Sequence, residues 1–412
     1  MKINTGRGTI SLFTLLAVWS ISAVTSLPGL AISPILGKLD TIFPKVSHME
    51  IDMLTSLPSL LIIPFILLSG RIADSGGKIK LVVIGLSIYL LSAVLYFFAD
   101  SMFWLILIGC LLGAGAGIVI PLSTSLIATI FEGKYRVSQL GISSSITNVT
   151  LVVATFVAGI LADVNWHLPF IVYMLPLVSL LLILKANKNS ELKDSIRAGE
   201  VPSSDSAPDE PAVKGIKPKN VMRLVGIYFF ITYMVLTVTF NLPYLMQAEK
   251  MDSSASGTMI SILFLAIMLP GLFLNKVIRV LKNNTNIVGS IFIFSGLIVI
   301  YFSTNVFLIT LGCLLTGLGY GAMQPIVYEK ASDISTRKTT TLILGIVMSM
   351  NYLAILLFPV IIQALQDIFH LTTSRDSFLV NAILGVLFSV LLYFSRNTFS
   401  VGMDKRYYTD NK

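Results

Sequence analysis

Apolar and polar residues alternate along this chain in long blocks rather than in short periods. Twelve apolar runs lie near 9–31, 50–70, 79–99, 102–126, 139–162, 168–186, 221–243, 257–275, 284–303, 305–328, 339–365 and 377–396. Each suffices for a bilayer-crossing helix, which needs about 20 mainly apolar residues. Their continuity excludes a membrane β-barrel, whose strands alternate apolar and polar over about ten residues. Most connections are short, so neighbouring helices are antiparallel. The polar segment 187–220, "NKNSELKDSIRAGEVPSSDSAPDEPAVKGIKPKN", is longer and is rich in Ser, Pro and charge. Such a composition buries too little apolar surface to fold alone. We therefore expect a six-helix bundle over 1–186, a flexible linker over 187–220 with a short surface helix near 190–197, a second six-helix bundle over 221–396, and a tail over 397–412.

Composition agrees: 55% of the 412 residues are hydrophobic and 12% are charged, with a mean hydropathy of +0.86. Soluble domains carry about twice that charged fraction. The net charge of +8 would fit a nucleic-acid partner, but its placement does not. With an inner N-terminus and alternating helices, 25 of the 29 Lys and Arg fall in inner segments. By the positive-inside rule this puts both termini in the cytoplasm, in a multi-pass protein of the plasma membrane. The first run is longer than a signal-peptide core of about 7–15 residues, so it is read as a retained helix. Cys110 and Cys313 fall inside different spans, and no disulfide is expected. The three histidines are scattered through outer loops, and neither a metal-ligand cluster, a catalytic constellation nor a phosphate loop occurs. No enzyme activity, cofactor or metal follows from the sequence.

The two halves repeat one another. "GCLLGAGAGIVIP" at 109–121 matches "GCLLTGLGYGAMQP" at 312–325, so that Gly113, Gly115, Gly117 and Pro121 align with Gly317, Gly319, Gly321 and Pro325 at an offset of 204. "LGI" at 140–142 aligns with "LGI" at 344–346 at the same offset, and Gly70 and Asp74 align with Gly271 and Asn275 at an offset of 201. Parallel six-helix repeats of this kind belong to alternating-access carriers. Small residues at such spacing let membrane helices pack closely.

With these features the chain resembles the major facilitator superfamily of secondary transporters, and most nearly its twelve-helix drug:H+ antiporter group. "GRIADSGGKIK" at 70–80 is similar to that superfamily's helix 2–3 signature, G-x-L-A-D-R-x-G-R-K, with Gly70, Ala73, Asp74, Gly77, Lys78 and Leu81 in place. "RVSQLGI" at 136–142 and "NWHLPFIVY" at 165–173 resemble further segments of the group, His167 standing where an Arg is usual. The resemblance implies a conformational latch made of Gly70, Asp74, Gly77, Lys78 and Arg136. In it Asp74 faces the start of helix 11, near Thr339–Thr341, in one of two states. It also implies a monomer that exports drug-like or amphipathic compounds in exchange for protons. Two departures favour an uptake carrier or facilitator for a neutral metabolite instead. Gly109 and Leu112 occupy the Arg and Gln positions of the group's helix 4 signature, and "ATFVAG" at 154–159 replaces its helix 5 signature.

Intramembrane acids would mark a proton path, and few are available. Glu50 and Asp52 start helix 2, and Glu329 ends helix 10. These are the candidates for proton coupling, although each position also suits a solvated helix end. Candidates for a substrate cavity are the polar residues within spans: Trp19, Ser22 and Ser26 on helix 1, Asn148 on helix 5, and Tyr228, Tyr233 and Asn241 on helix 7. Tyr320 and Gln324 on helix 10 and Asn351 on helix 11 complete the set. A site of phenols, amides and hydroxyls without fixed charge suits an uncharged or amphipathic organic molecule.

Overall fold

The computed structural model describes residues 2–6, 8–74, 77–188, 192, 194, 196, 218–333, 340–371 and 373–403. Apart from one hairpin these residues are helical, and eleven helices are long and apolar enough to cross a membrane. The shorter apolar helix α1, Leu12–Val24, precedes them. The chain forms two compact units, Met1–Ile35 with Leu39–Pro208, and Leu36–Lys38 with Asp209–Lys412.

In chain order α1 is followed by α2 (Leu36–Ile42), which is divided between the units at Leu39, and then in the first unit by α3 (His48–Ser56), α4 (Pro58–Asp74), α5 (Lys78–Tyr96), α6 (Met102–Ile130), α7 (Gly133–Val164) and α8 (Leu175–Lys188). The helices α3 and α4 meet at Leu57 and together supply one span, His48–Ser69. The second unit holds α9 (Pro218–Ala248), α10 (Ser253–Leu272), α11 (Leu274–Leu281), α12 (Thr285–Phe302), α13 (Val306–Asp333), α14 (Thr340–Phe369) and α15 (Ser374–Phe394).

Helix 1 is shorter than the apolar run at 9–31. Residues Thr9–Ser11 form strand β2, paired antiparallel with strand β1, Lys2–Asn4. Gly6 turns between them at φ +91°, and the Thr5 carbonyl accepts from the Glu132 backbone at 2.9 Å. Ser11 then caps α1 by accepting from the Thr14 backbone at 3.2 Å. At the other end Pro28 and Gly29, the latter at φ +81°, prevent the helix from continuing. Of the segment 187–220, only residues 187, 188, 192, 194, 196 and 218–220 are described. Leu192, Asp194 and Ile196 are helical, with the two apolar side chains buried and the acid exposed.

The glycine rows set the packing of both units, in the same way in each. A Cβ at Gly113 would strike the Pro58 carbonyl of α4, and one at Gly117 the Ile62 carbonyl and Phe65. Gly115 turns the other way, against Gly85 and Tyr89 of α5. In the second unit Gly317 and Gly321 press on Leu263 and Ile267 of α10, and Gly319 on Gly289 and Ile293 of α12. Each contact has its counterpart in the other unit at an offset of 204 or 205. The sequence repeat is thus a repeat of helix packing.

Each unit also pins the turn before its glycine helix. In the first, His167 Nε2 lies 3.2 Å from the Ala99 carbonyl and 3.6 Å from Asp100 Oδ1. A carbonyl only accepts, so Nε2 carries the proton. In the second, Arg375 Nη1 donates to the carbonyls of Tyr301 at 2.8 Å and Ser303 at 2.5 Å, while Nη2 meets Glu249 Oε1 at 2.7 Å. Arg375→Ala will cost about 2–3 kcal/mol, because two carbonyls lose a charged donor. Glu249→Gln will cost under about 1 kcal/mol, because that pair is solvent-screened. Thermal unfolding of the purified chain in detergent compares the two.

Candidate functional site

Helix α13 sorts its residues by face. Gly317 and Gly321 address α10 and Gly319 addresses α12. Tyr320, Gln324 and Tyr328 recur every fourth residue, which places them one above another on a single helix face. That face meets Tyr228 and Thr232 of α9, also four apart. The hub is the Tyr228 hydroxyl, which lies 2.5 Å from that of Tyr328 and 3.4 Å from that of Tyr320. Gln324 Nε2 donates to it at 3.1 Å and reaches the Tyr328 hydroxyl at 3.4 Å. Thr232 Oγ1 lies 3.4 Å from the Tyr320 hydroxyl. The rings of Tyr228 and Tyr328 are 5.3 Å apart and tilted. Five polar side chains therefore share one network without a formal charge. Tyr228, Tyr320 and Gln324 are expected from the sequence. Tyr328 and Thr232 are not, although each lies one helical turn beyond an expected member.

The other expected residues of this unit lie outside the network. Tyr233 packs its ring 5.3 Å from Phe358, and its buried hydroxyl makes no hydrogen bond among the described residues. Asn241 is buried and donates to the Thr237 carbonyl of its own helix at 3.2 Å. Asn351 is half-buried on α14.

In the first unit Trp19 and Ser22 of α1, and Ser26, which lies in the turn just past its end rather than on the helix, bind neighbouring elements. Trp19 Nε1 donates to Gln139 Oε1 at 2.9 Å. Ser143 Oγ donates to Ser22 Oγ at 2.6 Å, and Ser22 Oγ lies 3.3 Å from Ser123 Oγ. Ser26 Oγ donates to the Thr147 carbonyl, and Thr147 Oγ1 to the Ser22 carbonyl, both at 2.9 Å. Gln139, Ser143 and Thr147 form another row of every fourth residue, here on α7. Ser22 is fully buried, so its hydroxyl works as interhelical glue. Asn148 donates to the Ser144 carbonyl one turn back, at 2.9 Å.

The helix 2–3 stretch is described in part. Ser75 and Gly76, and the side chains of Gly70 and Asp74, lie outside the described residues, as does Thr339. Gly77 caps α5 at φ +91°, a left-handed conformation that favours glycine. Lys78 Nζ donates to Thr129 Oγ1 at 3.0 Å, and Arg136 Nε to the Phe131 carbonyl at 2.9 Å. Both cations thus sit at the C-terminal end of α6, where the helix dipole is negative.

Of the three acids considered for proton coupling, Glu50 and Glu329 are exposed. The Glu50 backbone is capped by Ser47 Oγ at 3.3 Å. Asp52 departs from the solvated helix end that its position suggests, being only 4% exposed. Burial follows from helix phase: Ile51, Asp52, Leu54, Thr55 and Ser56 all turn inward on α3. Both cysteines are free.

Two units of repeated helix packing, built from membrane-crossing helices around glycine-rich centres, define a polytopic α-helical membrane protein. The sequence profile of the Major Facilitator Superfamily matches residues 10–359. The chain belongs to that superfamily, a family of transporters rather than enzymes. Over 115 residues, 28% of this chain, it is 31% identical to the multidrug transporter protein MdtP of Bacillus subtilis, covering 21% of that protein. Over 115 residues it is 30% identical to the quinolone resistance protein NorA of Staphylococcus aureus, covering 29% of it. The match thus spans less than a third of either relative. Among solved structures, a bacterial homolog of the human lysosomal transporter Spinster aligns over 97% of this chain and 98% of its own, with a TM-score of 0.68 and 14% identity. A D-xylose-proton symporter aligns over 94% and 97%, with a TM-score of 0.71 and 15% identity. At such identities the likeness speaks for the fold alone.

Proposed function

We propose that this protein is a secondary transporter of the plasma membrane that works by alternating access and exports amphipathic or drug-like organic molecules in exchange for protons. The observation that carries the reading is the uncharged phenol–amide network of Tyr228, Tyr320, Gln324 and Tyr328, set on two helices of one bundle. Phenols offer a flat apolar face and a polar tip, which suits varied aromatic or amphipathic molecules better than an anion. The partial likeness to a multidrug transporter and a quinolone resistance protein supports the same substrate class. The test is a panel of such compounds in proteoliposomes, with and without an imposed pH gradient. Gradient-driven accumulation supports proton exchange, and gradient-independent equilibration removes the coupling.

For the coupling residue we favour Asp52 over Glu50 and Glu329, because it alone of the three is buried. In the same reading both termini face the cytoplasm, the protein works as a monomer, and Gly70, Asp74, Gly77, Lys78 and Arg136 form the latch. Asp74→Asn will lower turnover about tenfold and leave substrate affinity within about twofold, since a latch biases a conformational equilibrium. Initial rates over a substrate range separate the two, and unchanged turnover would remove the latch from the mechanism.

A facilitator or uptake carrier is the second reading, and Gly109 favours it. A Cβ there would already lie 3.0 Å from the Tyr96 hydroxyl and 3.4 Å from the Leu54 carbonyl. An arginine at this position, as in the drug:H+ antiporter signature, would not fit this packing.

A further inference from the structure

The sequence places a tail over 397–412, after the last membrane span. Its first residues, with the end of the turn before it (395–403), fold back along the second unit. Ser395, Thr398 and Val401 close successive turns, with Thr398 donating to the Ser395 carbonyl at 2.9 Å and Val401 to the Thr398 carbonyl at 3.2 Å. Gly402 then comes so close to the Arg396 carbonyl that a side chain there would collide with it. Ser400, Val401 and Met403 are buried.

Three elements hold this strap. At the start of α12, Asn286 Nδ2 donates to the Val401 carbonyl at 2.7 Å, and just before it Asn283 Oδ1 accepts from the Met403 backbone at 2.8 Å. On α11, Ile278 packs with Met403 and with Ile326 of α13 in a small apolar cluster joined by Leu274. The third hold is Lys330, near the end of α13. Its side chain is 2% exposed, and Nζ donates to the carbonyls of Phe399, at 2.7 Å, and Gly402. It also lies 5.7 Å from the centre of the Phe399 ring.

A buried ammonium is costly unless dipoles replace its water. Here the strap supplies two of those dipoles and an aromatic face. We propose that residues 395–403 are a conformational strap with Lys330 as its catch: the strap solvates the buried ammonium, and the ammonium holds the strap. Seated, the strap ties the end of α13 to α11 and α12, two residues beyond Tyr328 of the phenol network. Released, it uncovers the apolar cluster and leaves the ammonium without those carbonyls. A reader of this device would act on the strap rather than on the transmembrane helices.

The proposal predicts that Lys330 and the strap are energetically coupled. Methionine matches lysine in length and needs no carbonyl partners. In the full chain, Lys330→Met loses the catch and will lower the unfolding midpoint by a few degrees. In a chain ending at Ser395 there is no strap left to hold, and the same change will leave the midpoint within about one degree. Thermal unfolding of the parent, each single variant and the combination in detergent measures both effects. A Lys330→Met shift equal in sign and size in both backgrounds would overturn the proposal. If the shortened chain fails to fold, maleimide labelling of Ser400→Cys in a full-length chain carrying Cys110→Ala and Cys313→Ala decides. Lys330→Met will raise the labelling rate at least tenfold, and an unchanged rate would overturn the proposal. Neither readout involves transport, so failure here leaves the functional reading untouched, and the reverse holds too.

Discussion

Tyr228→Phe will lower the apparent affinity for a transported substrate by about tenfold, more than any other conservative change in the phenol network. The substitution keeps the ring and removes one oxygen. That oxygen joins Tyr328, Tyr320 and Gln324, at 2.5, 3.4 and 3.1 Å. Without it the buried Tyr320 and the half-buried Gln324 and Tyr328 lose their shared partner and keep only contacts at 3.4 Å. A buried polar group left unpaired costs about 1–3 kcal/mol, and each 1.4 kcal/mol is tenfold in affinity. Tyr328→Phe and Gln324→Leu will have smaller effects, since each leaves the hub in place. Tyr233→Phe will stay within about twofold of the parent, because its hydroxyl takes no part in the network. Competition against a bound fluorescent substrate ranks the four. Equal losses for Tyr228→Phe and Tyr233→Phe would mean that general packing of α9, and not the network, governs binding.

Gly321→Val will abolish recovery of folded protein. The position has no room even for a methyl group, since a Cβ would overlap the Ile267 carbonyl of α10. Backbone cannot rotate away as a side chain can, so α10 and α13 must separate. Overpacking a core costs about 1–3 kcal/mol and sometimes more. A collision with backbone exceeds that range, because the whole α10–α13 interface must open, and reaches the lower end of a total stability of about 5–15 kcal/mol. Gly117→Val, the counterpart in the first unit, will behave alike because the Ile62 carbonyl and Phe65 stand in its way. Gly271→Val is the control: nothing lies within 4 Å of a Cβ there, and the site is exposed. Size-exclusion profiles in detergent would show an aggregate or no protein for the first two and a single peak for the third. A folded Gly321→Val would contradict the close helix packing.

How much of this was legible depends on the range of the interaction. Membrane spans are local, so twenty apolar residues in a row announce them. The glycine row at 317–321 is also legible, because helix spacing alone says that alternate members face different neighbours. The phenol network is half legible. Tyr228, Tyr320 and Gln324 stand out as polar groups in apolar helices. Tyr328 and Thr232 belong to the same rows at a spacing of four, a signal present in the sequence but weaker near a helix end. The same spacing joins Gln139, Ser143 and Thr147, which hold α1 against α7. The early end of α1 is announced by "LPGL" at 27–30, where apolar character outweighs the break. "KIN" and "TIS" on either side of a glycine-bearing turn carry a hairpin signal too short to outweigh the apolar run that follows. The burial of Asp52 and the seating of residues 395–403 are not legible. Both depend on partners far along the chain, and nothing in local composition separates a solvated acid from a buried one, or a tail from a strap.

Exchange across a bilayer without an imposed proton gradient tests the central claim most directly, because it asks for a carrier and nothing else. Proteoliposomes loaded with an unlabelled compound from the panel are diluted into a trace of the labelled compound, and internal label is followed over time. A protein that alternates access around a binding site will show transient accumulation of label above equilibrium. That overshoot saturates with concentration and is diminished in Tyr228→Phe. Label that enters without overshoot, in linear proportion to concentration and equally in Tyr228→Phe, would contradict the account.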